Sequence, residues 1–103
     1  MTIIVMGHIQ TGKGEVARLQ QVFSTQMVMT NAEAGCEHYS FAAHVDDPDL
    51  IIISERWATA EALAEHGKSA HMKEFNKALA GADIKQVSLK AWNGSFWRTL
   101  VGE

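Results

Sequence analysis

Three features of the sequence predict an α+β domain in which helices cover a sheet. The run Thr2 to Gln10 carries Ile3, Ile4, Val5 and Ile9 and reads as a central strand. Val16, Leu19, Phe23 and Met27 then recur at steps of three and four, the period of a helix with one apolar stripe. Between residues 36 and 57, two β-prone segments flank Asp47-Pro48-Asp49, which supplies turn chemistry, so they read as a hairpin.

Size and charge narrow the function. A chain of 103 residues forms one domain, residues 1–103, with a single core, and at this size a second subunit adds useful apolar burial, so an oligomer is expected. Nine basic and twelve acidic residues without a Lys/Arg stripe exclude an electrostatic nucleic-acid footprint. The apolar run Ile3 to Met6 is far too short for a membrane span, so no membrane association is expected. Cys36 is the single cysteine and cannot form an internal disulfide; with a start that lacks a charged leader, this points to the cytoplasm.

Taken in order, the first strand leaves through Thr11-Gly12-Lys13-Gly14, which lacks the remaining glycine and the Ser/Thr of a phosphate loop, so no nucleotide site is expected. One long helix through Met27 follows, with Glu15, Arg18, Gln20 and Gln21 off its apolar stripe. Cys36 to Val45 alternates Glu37, Tyr39, Phe41 and Ala43 against His38, Ser40, Ala42 and His44, giving one aromatic face. His38 and His44 share the other face, but roughly 20 Å of strand separates them, too far for one metal. The hairpin turn is expected between Val45 and Leu50, and the next strand ends in Glu55-Arg56-Trp57. A helix to His66 stops at Gly67, Ser69 caps a second, and Met72, Phe75 and Leu79 give that helix its buried side until Gly81. Ile84 to Ala91 alternates as a final strand. Asn93-Gly94 then signals a hairpin, with Ser95 to Leu100 folding back as an extra strand whose Phe96 and Trp97 need a cover, for which a partner subunit is the expected source.

The chemistry concentrates between Ile51 and Met72. Ile51, Ile53, Glu55 and Trp57 share one strand face, so a single acid ends an apolar row, close in sequence to two imidazoles. Such a set suits proton transfer in an apolar pocket. On an unbroken helix His66 and His71 would face about 140° apart, but the break at Gly67 to Ser69 lets both rings turn inward. His66 in a last helical turn and His71 in a first turn feel opposite ends of a macrodipole, which suits a division of acid and base roles. Tyr39 falls on the strand beside Glu55, where it either packs or binds a substrate oxygen. Two histidines and a carboxylate match the ligand types of a non-haem iron site, yet no close-spaced ligand signature is present, and no metal is expected. Cys36 at a strand start has nothing to activate it and reads as structural.

Gly14, Gly35-Cys36, Tyr39, Asp46-Asp47-Pro48-Asp49, Glu55-Arg56-Trp57, Ala62-Leu63, His66 and His71-Met72 occur in an order that resembles the antibiotic biosynthesis monooxygenase domain family, nearest to small bacterial quinol monooxygenase-like members. The resemblance implies a ferredoxin-like split βαββαβ fold, with an antiparallel sheet, helices on one face, and two sheets paired as a homodimeric α/β barrel. It also implies oxidation of a small phenolic or hydroquinone-type aromatic by O2 without cofactor. Glu55, His66 and His71 would then be catalytic, and Tyr39, Trp57, Met72 and Phe75 would contact substrate. Ile53 stands where polyketide-tailoring members place an asparagine, and the haem-degrading pattern meets Gly7 or His8, His66 and Asn76 here. The same pocket also suits a non-catalytic dimer that binds a small aromatic ligand, or an isomerase. Retention of full turnover by His71→Ala would remove the proposed division of acid and base roles.

Overall fold

The computed structural model describes Met1–Glu103 throughout. Its strands are β1 (Thr2–Thr11), β2 (Cys36–His44), β3 (Asp47–Trp57) and β4 (Ile84–Gly94), and its helices α1 (Glu15–Arg18), α2 (Gln20–Asn31), α3 (Ala60–Gly67) and α4 (Ala70–Ala80). The strands form one open antiparallel sheet in the order β2-β3-β1-β4. This is the split βαββαβ arrangement: the two strands richest in Ile and Val occupy the middle, and each helical segment crosses one sheet face.

The period of two along each strand decides which side chains meet the helices. Tyr39, Glu55, Val5 and Ala91 are successive cross-strand partners and make one row; Phe41, Ile53, Gly7 and Leu89 make the next. Ile3, Val5, Ile9, Tyr39, Phe41, Ile51, Ile53 and Trp57 form the buried sheet face, and Leu19, Phe23 and Phe75 close over it from the helices. Phe23 meets Phe41 and Phe75 edge-on, with ring centroids 5.2 and 5.8 Å apart, the offset geometry that aromatic quadrupoles favour. Gly7 has a steric reason: a Cβ there would fall 2.0 Å from the Ser88 carbonyl oxygen.

At the second helical segment the Ser69 cap agrees with the sequence, and Thr59 supplies a further one. Thr59 Oγ1 accepts from the Ala62 amide at 3.1 Å and Ser69 Oγ from the Met72 amide at 3.2 Å, so each short helix has a side-chain N-cap. The Ser69 hydroxyl also donates to the His66 carbonyl at 2.8 Å, tying the two helices across their break.

Three expectations are corrected. The first long helix is jointed at Leu19, whose φ and ψ of −95° and 12° leave the helical region and divide it into α1 and α2. Residue 19 still accepts from the Phe23 amide at 3.0 Å, so the apolar stripe continues through the joint. The hairpin turns earlier than expected: His44 pairs with Asp47, and the register shifts after Ala43, so Pro48 lies within β3 at an irregularity. A residue without an amide proton is tolerated at such a place. Asn93-Gly94 makes no hairpin, because Asn93 pairs with Ile3 and Gly94 with Thr2, and neither has the positive φ of a tight primed turn. β4 continues through them, and residues 95–103 form no strand.

Candidate functional site

Between the helix-covered sheet face and α3 and α4 lies a cavity of about 320 Å³. Val5, Ile9, Phe41, Ile53, Leu63, Met72 and Phe75 make most of its wall apolar, and Tyr39, Glu55 and His66 bring polar atoms to it. A small aromatic molecule fits a space of this size and chemistry.

Glu55 reaches this wall because an odd position on β3 must face the helices. It is buried, and Trp57 Nε1–H donates to its Oε1 at 2.9 Å. Burial pushes the Glu55 carboxyl above its ordinary pKa, with the Glu33 charge acting the same way; the Trp57 hydrogen bond and the His66 charge oppose the shift. Glu55 is therefore equipped to hold and deliver a proton. Burial also pushes the Tyr39 phenol up, partly offset by the Gln26 amide, which suits it to donate a hydrogen bond rather than ionise.

Glu33 is the residue that organises the histidines. Its Oε2 lies 2.7 Å from His66 Nδ1 and 2.7 Å from His71 Nε2. A carboxylate can only accept, so in this contact both ring nitrogens carry the hydrogen and the tautomers follow. His66 Nε2 is then left for a substrate, on a ring packed 4.9 Å from Trp57 and 5.4 Å from Tyr39 between centroids. The facing atoms of Glu33, His66 and His71 all lie within 4.8 Å of one another, which makes them the cluster able to hold a metal.

The approach of Glu33 depends on Gly35. That glycine has φ +81°, and a Cβ on it would fall 2.6 Å from the Ala62 Cβ, so the loop after α2 touches α3 only because the side chain is absent. Gly35 also accepts from the Ala58 amide at 2.8 Å, fixing the loop beside the end of β3.

The structure brings together Glu55, His66, Tyr39, Met72 and Phe75 on one cavity. Trp57 is fully buried and stands behind the wall, holding Glu55. His71 does not reach this cavity; it lines a separate groove between α2 and α4 with Gln26 and Glu74 and joins the site through Glu33 and through its ring, whose centroid lies 6.0 Å from that of His66. Sequence reading missed Glu33 and Gln26. Glu33 is the lone acid in a short turn of small residues, Ala32 to Gly35, and its partners lie 33 and 38 positions away. Gln26 is buried within α2 and donates to Met72 Sδ at 3.3 Å, a contact that helical period alone does not reveal. Burial pushes the Cys36 thiol up, consistent with a structural cysteine.

The sequence model of the antibiotic biosynthesis monooxygenase family matches residues 2–78. Among solved structures, a proposed antibiotic biosynthesis monooxygenase from Deinococcus radiodurans superposes with a TM-score of 0.88 at 20% identity, covering 97% of this chain and 99% of its own. A conserved protein from Methanosarcina mazei Go1 gives 0.84 at 21% identity, covering 92% and 94%. Rv0793 from Mycobacterium tuberculosis gives 0.84 at 18% identity, covering 96% and 100%. These likenesses concern the fold. No curated protein matches the chain.

Proposed function

Since the chain belongs to the antibiotic biosynthesis monooxygenase family, we propose that it oxidises a small phenolic or hydroquinone-type aromatic with O2, the substrate itself supplying the electrons without a metal or flavin. The observation that carries this reading is the 2.7 Å contact between Glu33 and His66 Nδ1 on the wall of an apolar cavity. Glu33 holds the tautomer in which His66 Nε2 accepts a proton, an arrangement suited to general-base catalysis.

In this mechanism the phenolic proton passes to His66 Nε2, and Tyr39 orients the substrate oxygen. The resulting anion is electron-rich and gives an electron to O2; recombination forms the carbon–oxygen bond. For a hydroquinone, one oxygen atom enters the ring and the other leaves as water, giving a hydroxyquinone. Glu55, whose pKa burial raises, supplies a proton to the departing oxygen. Met72 and Phe75 keep water from the ring, and the low-polarity wall strengthens the nearby charges.

The working unit in this reading is a homodimer. Met6, Ile52 and Trp92 lie on the uncovered sheet face and are substantially exposed, as are Phe96, Trp97, Leu100 and Val101 in the tail. The chain exposes 6841 Å², against about 5,700 Å² expected for a compact monomer of its mass. A second copy covering the open face would remove much of that excess.

The test is oxygen consumption by metal-stripped, flavin-free protein across hydroquinones and polycyclic phenols. Uptake matched by oxygenated product is expected. Dependence on added iron or flavin contradicts the cofactor-free reaction; turnover without oxygen uptake indicates isomerisation, and binding without turnover indicates a ligand-binding module.

A further inference from the structure

We propose that Glu33, His66 and His71 form a binding site for one divalent d-block cation of the zinc type. Two imidazole nitrogens and a carboxylate oxygen converge within 4.8 Å, and both nitrogens already stand 2.7 Å from the same oxygen. Metal–nitrogen and metal–oxygen bonds of about 2.0–2.2 Å place ligand atoms on a tetrahedral ion roughly 3.3 Å apart, so side-chain adjustments of the order of an ångström suffice. Imidazole nitrogen favours zinc, cobalt, nickel, copper or iron over magnesium and calcium, which take oxygen ligands.

The three residues come from three separate segments, the loop after α2, the last turn of α3 and the first turn of α4, all held by packing. Gly35 fixes the loop against Ala62, and Ser69 links the two helices at their break. The site is also reachable from water: the side chains of Glu33 and His71 are 17% and 14% exposed, and the groove beside His71 opens between α2 and α4. The carboxylate that the structure brings to the two histidines is Glu33.

A consequence follows for the reaction, and it rests on the proposed function. Metal and proton compete for His66 Nδ1. With a cation on Nδ1, the neutral ring carries its hydrogen on Nε2, so the atom assigned to accept the substrate proton becomes a donor. The bound ion therefore silences the base, as an inhibitor rather than a cofactor.

The test titrates the metal-free protein with Zn²⁺ by calorimetry and with Co²⁺ by visible absorption, both independent of turnover. One ion per chain is expected, with at least about 100-fold weaker binding in Glu33→Gln and His71→Ala, because losing a ligand costs more than losing an outer-sphere partner. The His38→Ala/His44→Ala double variant should bind as the parent does. Circular dichroism checks that each variant is folded, and nitrogen shifts of the imidazoles should report coordination at His66 Nδ1 and His71 Nε2. Unchanged binding in folded Glu33→Gln or His71→Ala, or loss in the His38/His44 variant, overturns the site. Stoichiometric binding that leaves oxygen uptake untouched overturns the inhibition while the ligand assignment stands.

Discussion

Burial raises the Glu55 pKa because it makes the carboxylate costly, and that cost appears in the stability of the whole chain. Its folded pKa lies above the ordinary 4.5. The unfolded chain therefore releases this proton first, and the Glu55 contribution to stability falls as pH rises from about 4.5 through the folded value. Glu55→Gln, which keeps an acceptor for Trp57, should remove that slope, so its stability advantage over the parent grows as urea unfolding is repeated from pH 4.5 to 8. Glu15 behaves oppositely: the Arg18 hydrogen bond and the Asp83 amide hold its carboxyl at about 2, so its contribution is present above 4.5 and lost as pH falls towards 2. A Glu55→Gln advantage that is independent of pH would mean that folding does not raise the Glu55 pKa.

At the scale of elements, the break between α3 and α4 is what makes the site. Ser69→Ala removes an N-cap and the link to the His66 carbonyl, and should cost about 1 kcal/mol, seen as a fall in Tm of roughly 4–8 °C. Gly35→Ala should cost more than Ser69→Ala, since it combines a left-handed backbone with a methyl group driven into Ala62. Both are checked by thermal unfolding. The elements themselves were legible because strand alternation and Ser69 are local signals: they placed Glu55 on the buried face and the helix break between His66 and His71, although α3 runs through Gly67 and is capped at Lys68 instead of stopping at the glycine. Glu33 was not legible, since what selects it is the close approach of two segments, permitted by an absent side chain at Gly35. Asn93-Gly94 misled for a related reason. Its local turn preference is outweighed by the ladder with β1, which continues through Ile3 and Thr2.

The whole molecule leaves one sheet face and a tail without a cover. Trp92 is the partner of Ile4 across the open face, and Phe96 and Trp97 continue the apolar surface into the tail. If a second copy covers them, Trp92→Lys and removal of residues 95–103 should each weaken self-association by about 10- to 100-fold, the range of a buried aromatic anchor. Sedimentation velocity across a concentration series checks this; a parent chain that is monomeric at high concentration contradicts the dimer.

In the proposed reaction Glu33 holds His66 as the base over the cavity, and His71 stands outside it. The most direct measurement is therefore the kcat for oxygen uptake by the parent, His66→Ala, Glu33→Gln and His71→Ala with one accepted hydroquinone. Losses of about 10²- to 10⁴-fold are expected for His66→Ala, a large loss for Glu33→Gln, and less than about 10-fold for His71→Ala, whose ring does not line the cavity. Near-parental turnover in His66→Ala, or a loss in His71→Ala as deep as that in His66→Ala, would contradict these roles.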